Sequence, residues 1–408
     1  MTAGAAAARA ALQHRYLSTI FAELCAIPSP SLSERACGER VSEELRALGL
    51  DAHEDGAGAA IGGDCGNLLA RLPAAPGRSS QPGAEAGAER RSVLLCAHLD
   101  TVPLLAPVEP VLRDGFWENA GEGSLGADNK AAIAVLLALV RHLRQEGAPV
   151  DVELLFTVGE EIALAGAGEF DRSLLRSAYG YVFDHASPIG EVIMDSPCHF
   201  RISARFRGAA AHAGIRPEDG RSAILAASRA LASMRHGRIE GEGTVNIGTM
   251  GGGGAINVVP EHCELSGEVR GFDDQRGEAL VAEVVDRIHE AANRPDCDVD
   301  VDVSVERTFA GYRLAPSAAP VRAAEAALRA CGYEPVRISS GGGSDANALI
   351  AKGLPMVNLA NGTERNHEPG ERVSELALQE MLEVAAQLVH EVAATADYVG
   401  GAPPDPAR

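Results

Sequence analysis

The sequence lacks the marks of several common protein classes. No apolar run reaches the length of about 18 residues that a membrane-spanning helix needs, so no membrane partner is expected. The amino terminus is Ala-rich but broken by Arg9, His14 and Arg15, and it has no signal-peptide core or cleavage pattern. None of the eight cysteines stands in a C-x-x-C pair, which argues against a cysteine zinc site. Scattered through 408 residues, they read as free thiols in a reducing compartment, and a cytoplasmic location is expected. Positive charge is scarce: 36 Lys and Arg face 57 Asp and Glu, for a net charge of −21. That disfavours nucleic acid or an anionic membrane as partner. It leaves anionic substrates open, because a local cation can reverse the field inside a cleft. No internal repeat is present. The Gly-rich run Ser339–Asp345 lacks the G-K-[ST] of a phosphate-binding loop.

What remains is a globular chain, 46% hydrophobic and long enough for two domains. Val93–Ala97 is a short run of β-formers and reads as a buried strand that Pro103 brings to an end. His98 and Asp100 leave it two residues apart, hence on one face. An imidazole beside a carboxylate suits a metal ligand with an orienting partner. The same pair also fits a surface His beside a loop Asp. Asp151–Val158 reads as a second strand ending in Gly159-Glu160-Glu161, and Tyr181–Asp184 as a third ending in a carboxylate. Paired carboxylates at the end of a buried strand need a partner, a metal or solvent. Asp128 follows a Gly turn and opens an Ala/Leu-rich helix, where an ordinary N-cap is the alternative. His367 lies in a loop after the strand Leu354–Leu359. His185, next to Asp184, reads as a neighbour and not a ligand.

The rest of the chain reads as helices at 5–26, 321–331 and 374–394. Ser31-x-x-Glu34 resembles a capping box for a helix reaching Leu48. Residues 73–91 read as a solvated loop and 109–126 as a turn-rich segment. Between 197 and 309 the pattern changes to strand-helix-strand-strand-helix-strand, which suggests an inserted α/β layer on an antiparallel sheet. Its first strand is interrupted by Gly208-Ala-Ala-Ala-His212-Ala-Gly214. The expected division is a catalytic domain in two parts, 1–196 and 310–400, an inserted domain at 197–309, and a mobile tail at 401–408.

Two His and three carboxylates at strand ends can hold two divalent ions if one carboxylate bridges, and such nitrogen-oxygen sets suit Zn²⁺, with Co²⁺ or Mn²⁺ as alternatives. Here the sequence resembles a known family. A-H-L-D-T-V-P, G-A-D-N-K-A-A, T-V-G-E-E and N-H-E-P occur in the order and spacing of the dinuclear zinc exopeptidases and aminoacylases. That family includes bacterial peptidase T and the glutamate carboxypeptidases. A-H-A-G at 211–214, I-N-V-V-P at 256–260, G-E-V-R-G-F-D at 267–273 and G-G-G-S-D-A-N at 341–347 are most similar to the peptidase T subgroup.

The resemblance implies an α/β fold: a zinc-exopeptidase-like mixed sheet flanked by helices, with a smaller inserted α+β domain that acts as lid or dimerisation domain. It assigns His98 and Asp184 to one metal and Glu161 and His367 to the other, with Asp128 bridging. Asp100 would orient His98, and Glu160 would be the general base. His212, from its own or a partner subunit, would meet the developing oxyanion. Asn257 and Arg270 would bind the substrate carboxylate, and Gly343 would line the pocket. The resemblance also implies a cis peptide at Asp128–Asn129, where many relatives carry Asp-Asp. The expected activity is removal of the N-terminal residue from short peptides, with a homodimer formed through the inserted domain. An N-acyl-amino-acid deacylase or carboxypeptidase is the alternative, and a non-catalytic binding protein of the same fold a more distant one.

Overall fold

A computed structural model of the chain describes residues 3–76, 91–104 and 106–395. The expected mobile tail, 401–408, and most of the expected loop at 73–91 lie outside the described residues. The chain divides into two compact units. The first draws its described residues from Met1–Asp195, Arg313–Ser340 and Ser344–Arg408, the second from Ser196–Tyr312 with Gly341–Gly343.

A mixed sheet forms the centre of the first unit. Its strands run in the order Ala52–Glu54, Leu68–Leu72, Asp151–Thr157, Ser92–His98, Gly180–His185, Met356–Ala360 and Glu191–Ser196. Ser92–His98 pairs in parallel with Asp151–Thr157 on one side and Gly180–His185 on the other. Met356–Ala360 is parallel to Gly180–His185 in turn. Four strands therefore end on the same side of the sheet. All seven residues of Ser92–His98 are buried, which is why the strand reads as a continuous apolar run without alternation.

Helices cover this sheet. Ala127–Glu146 is buried nearly all round, and its small Ala side chains let neighbours approach closely. Lys130 is buried within it and donates from Nζ to the Ile27 carbonyl. Leu17, Ile20, Phe21 and Leu24 make the apolar stripe of Ala3–Cys25, which packs on Ala127–Glu146 together with Glu375–Ala394.

Two local expectations fail, and one strand falls where the sequence reading places no element. The turn-rich segment after Glu109 holds a hairpin, Pro110–Arg113 with Phe116–Asn119, too short and half-exposed to show a period. Val336–Ser339 is a strand, four residues long and mostly exposed, pairing with Glu191–Ser196. Ser31 and Glu34 form no capping box: the helix Arg35–Ala47 has no side-chain cap, and both residues bond elsewhere.

The second unit is an antiparallel sheet in the order Gly237–Ile239, Gly243–Gly252, His262–Gly271, Cys198–Arg207, Asp300–Phe309. In Cys198–Arg207, Phe200, Ile202, Ala204 and Phe206 turn inward while Arg201, Arg205 and Arg207 face out. The helices Ala223–Ser233 and Asp274–Ala292 complete this second core through Ala226, Ala230, Leu280, Val284 and Ile288. Among the described residues no helix is long and apolar enough to cross a membrane. All eight cysteines are free, and seven are buried.

Candidate metal centre

The four parallel strand ends deliver His98, the Glu160–Glu161 turn, Asp184 and the His367 loop to one edge of the sheet. The start of Ala127–Glu146 brings Asp128 to the same place. Open α/β sheets gather their ligands there, beyond the carboxyl ends of the strands.

His98 is buried, and its Nδ1 lies 2.9 Å from the Asp100 carbonyl oxygen. A carbonyl only accepts, so Nδ1 carries the hydrogen and Nε2 presents its lone pair. Nε2 sits 3.4 Å from Asp128 Oδ1 and 3.6 Å from Asp184 Oδ1. The other Asp128 oxygen, Oδ2, is 3.2 Å from His367 Nε2, which in turn is 2.9 Å from Glu161 Oε1. One carboxylate thus stands between two imidazoles, each flanked by a further carboxylate. Nitrogen and oxygen atoms of His98, Asp128 and Asp184 lie within 4.8 Å of one another, as do those of Asp128, Glu161 and His367, and of His98, Glu160 and Glu161.

These atoms lack ordinary partners. His98 Nε2, Asp128 Oδ1 and Glu161 Oε1 are buried with no well-formed hydrogen bond. Buried polar atoms are normally paired, so three orphans within these groups fit bound cations. The electrostatics agree. Burial opposes charge on His98, yet the carboxylates of Asp100, Asp128 and Asp184 hold its pKa well above the ordinary value. Asp128 and Glu161 raise His367 to about 10. Burial raises Glu160, with the Asp184 charge adding to it, and burial also raises Asp184. A cluster of carboxylates this dense calls for positive charge, which protons or metal ions can supply.

The turn bearing Glu160 and Glu161 is fixed by side chains. Four successive backbone N–H groups donate to them: Val158 to Asn67 Oδ1 at 3.1 Å, Gly159 to Glu34 Oε1 at 3.0 Å, Glu160 to Asp100 Oδ1 at 2.9 Å and Glu161 to Asp100 Oδ2 at 3.0 Å. Ser31 Oγ also donates to Asp100 Oδ2. The Asp100 carboxylate is thus mainly spent on this turn, and its Oδ1 is 3.4 Å from His98 Nδ1. The Asp128–Asn129 peptide is cis. Asn129 Nδ2 donates to the Phe183 carbonyl at 2.9 Å and to Asp184 Oδ1 at 2.8 Å.

Residues 94–391 match the Peptidase family M20/M25/M40. The chain belongs to this peptidase family. M20 peptidases are generally metal-dependent hydrolases, and the residue groups above are the candidate metal sites of this one. The solved structure of the aminopeptidase PepT from Bacillus cereus is similar, with a TM-score of 0.82 and 33% identity over 93% of this chain and 99% of that one. A Staphylococcus aureus tripeptidase matches with a TM-score of 0.85 and 30% identity, covering 94% of this chain and 99% of that one. The uncharacterised protein YqjE of Bacillus subtilis is 32% identical over 374 residues, 91% of this chain and 97% of its own length.

Four residues singled out in the sequence of this M20 peptidase belong to the second unit. His212 and Asn257 are exposed and share a short ladder, in which Ala213 N donates to the Asn257 carbonyl at 3.0 Å. Arg270 is held from both ends. Nε and Nη2 donate to Glu268 at 3.1 and 3.2 Å, and Nη1 donates to the Gly341 carbonyl at 3.2 Å. Glu268 also pairs with His199 Nε2 at 2.9 Å, and the His199 ring stacks on Phe309. Gly343 lies against that ring, where a Cβ would come within 2.5 Å of Phe309 Cζ.

Sequence reasoning missed several buried groups around the centre. Glu34 escaped because its spacing from Ser31 mimics a cap. Asp345 accepts from Thr157 Oγ1, and burial pushes its pKa up to about 7. Glu371 lies four residues beyond His367 and carries no motif of its own. His185 stands aside as expected, bonded through Nδ1 to Ser187 Oγ at 2.8 Å.

Proposed function

We propose that this M20 peptidase is a dinuclear zinc aminopeptidase that removes the N-terminal residue from short peptides, tripeptides among them. One observation carries the reading: Asp128 faces His98 with one oxygen and His367 with the other. In this reading His98 and Asp184 hold one ion, Glu161 and His367 hold the second, and Asp128 is shared. Co²⁺ or Mn²⁺ would suit the same donors. A bound pair supplies a water of lowered pKa and positive charge for the carbonyl oxygen of the scissile bond. Glu160 accepts the proton of the attacking water and returns it to the leaving amine. A base with a raised pKa suits that work near neutral pH, and burial raises Glu160.

The roles of His212 toward the oxyanion, and of Asn257, Arg270 and Gly343 toward the substrate, rest on the resemblance alone. So does a homodimer through the second unit. Eight free thiols support a reducing compartment such as the cytoplasm. Metal analysis with a peptide panel, before and after chelation, tests the reading. Two zinc ions per chain and cleavage of free-amine tripeptides are expected, with no cleavage after chelation. Hydrolysis confined to N-acylated amino acids would identify an amide hydrolase of another specificity, and activity on long peptides with none on tripeptides would overturn the proposal.

A further inference from the structure

The shared carboxylate needs a defined plane, since each of its oxygens faces a different imidazole. Its own helix does not provide one. Gly126 has φ of 69°, and Asp128 has φ −82° and ψ 108°, so the chain is not helical there. The backbone N–H groups of such an irregular, buried stretch have no regular partner and need one from elsewhere. Here they find one in Glu371, a buried carboxylate from the loop that carries His367. Gly126 N donates to Glu371 Oε2 at 2.7 Å, and Asp128 N donates to Oε1 at 3.0 Å. Ser124 Oγ also donates to Oε2. Both oxygens are therefore used on the five-residue stretch from Ser124 to Asp128.

We infer that Glu371 is a positioning residue for the shared ligand. It fixes the Asp128 backbone, and because it sits four residues after His367 it ties that loop to Asp128 in one rigid piece. Its absence would be felt mainly at the triad of Asp128, Glu161 and His367, because His367 has 48% of its side chain exposed whereas His98 is enclosed. This inference rests on the two-ion reading above.

The test is zinc titration of the full metal-free chain by calorimetry, with melting of the metal-free chain measured alongside. Glu371→Gln keeps the shape but turns one acceptor oxygen into an NH₂ that faces an N–H donor. We expect one of the two affinities to fall roughly 10–100-fold, the range typical for lost partners behind metal ligands, while the other is retained. Ser124→Ala removes a single donor from a half-buried site and keeps the carboxylate. It should weaken the same affinity by a smaller factor, and it decides the matter if the Gln variant does not fold. Two zinc affinities unchanged in both variants, with only the melting temperature lowered, would assign Glu371 to the scaffold and overturn the inference alone. A wild-type chain that takes up no zinc would overturn the two-ion reading first.

Discussion

Asp100 Oδ1 accepts the backbone N–H of Glu160 at 2.9 Å, so the proposed base is aimed by another residue's carboxylate. The second oxygen does the same for Glu161. Asp100→Asn would set an amide NH₂ against one of these donors. A loss of roughly 10–100-fold in kcat/KM is expected from misplacement of a catalytic group by about 1 Å. Unchanged kinetics would separate Asp100 from the placement of that turn.

Glu160→Gln removes the base but leaves the proposed metal ligands intact. Bound metal should be retained, while the rate falls roughly 10²–10⁴-fold. Metal analysis and steady-state kinetics on the same sample check both halves. Near-normal turnover would remove Glu160 from its role.

His367→Ala leaves Asp128 and Glu161 as two carboxylates without their imidazole. The variant should hold a single zinc ion under conditions where the wild type holds two, and its activity should collapse. Elemental analysis after equilibrium dialysis reads the count directly, and two tightly held ions in the variant would refute the assignment of His367.

The His199 hydrogen bond, with Arg270 beside it, lowers the pKa of Glu268 from 4.5 to about 2. The folded chain thus holds Glu268 ionised where the unfolded chain begins to bind a proton. Its contribution is full above about pH 4.5 and fades as pH falls toward about 2. Wild type and Glu268→Gln should therefore differ in melting temperature near neutral pH, and the gap should close on acidification below about pH 4.5. An equal gap at both pH values would show that the charge plays no part.

Gly343→Ala would push a methyl to within 2.5 Å of Phe309 Cζ, and that ring is pinned by its stack on His199. Overpacking of this kind costs about 1–3 kcal/mol. A lower melting temperature is expected, with partial recovery when Phe309→Leu is added. An unperturbed single variant would show that the ring yields freely.

The α/β class was legible because the strands that carry the centre are short apolar runs ending at polar residues. Val93–Ala97 and Leu154–Val158 betray burial on both faces, and a polar residue just past such a run stands at the sheet edge. On that ground His98, the Glu160–Glu161 pair and Asp184 could be placed at one edge, while Asp128 at a helix start and His367 in a loop joined them only through the family resemblance. The residues that hold those turns in place could not be anticipated. Glu34 and Glu371 are single carboxylates in irregular segments, with no period to mark them, and their partners are backbone N–H groups far away in the chain. The Ser31-x-x-Glu34 spacing misled because a cap and a support for another turn use the same side chains. The hairpin at Pro110–Asn119 stayed hidden because a four-residue, half-exposed strand has too little pattern to distinguish it from a loop.

His98 is shut off from solvent and Asp128 nearly so, whereas the imidazole of His367 is about half open. Of the five proposed ligands, His367 is thus the one most open to solvent. A chelator added to the loaded enzyme should strip it in two stages, a fast one from beside the open ring and a slow one from the interior.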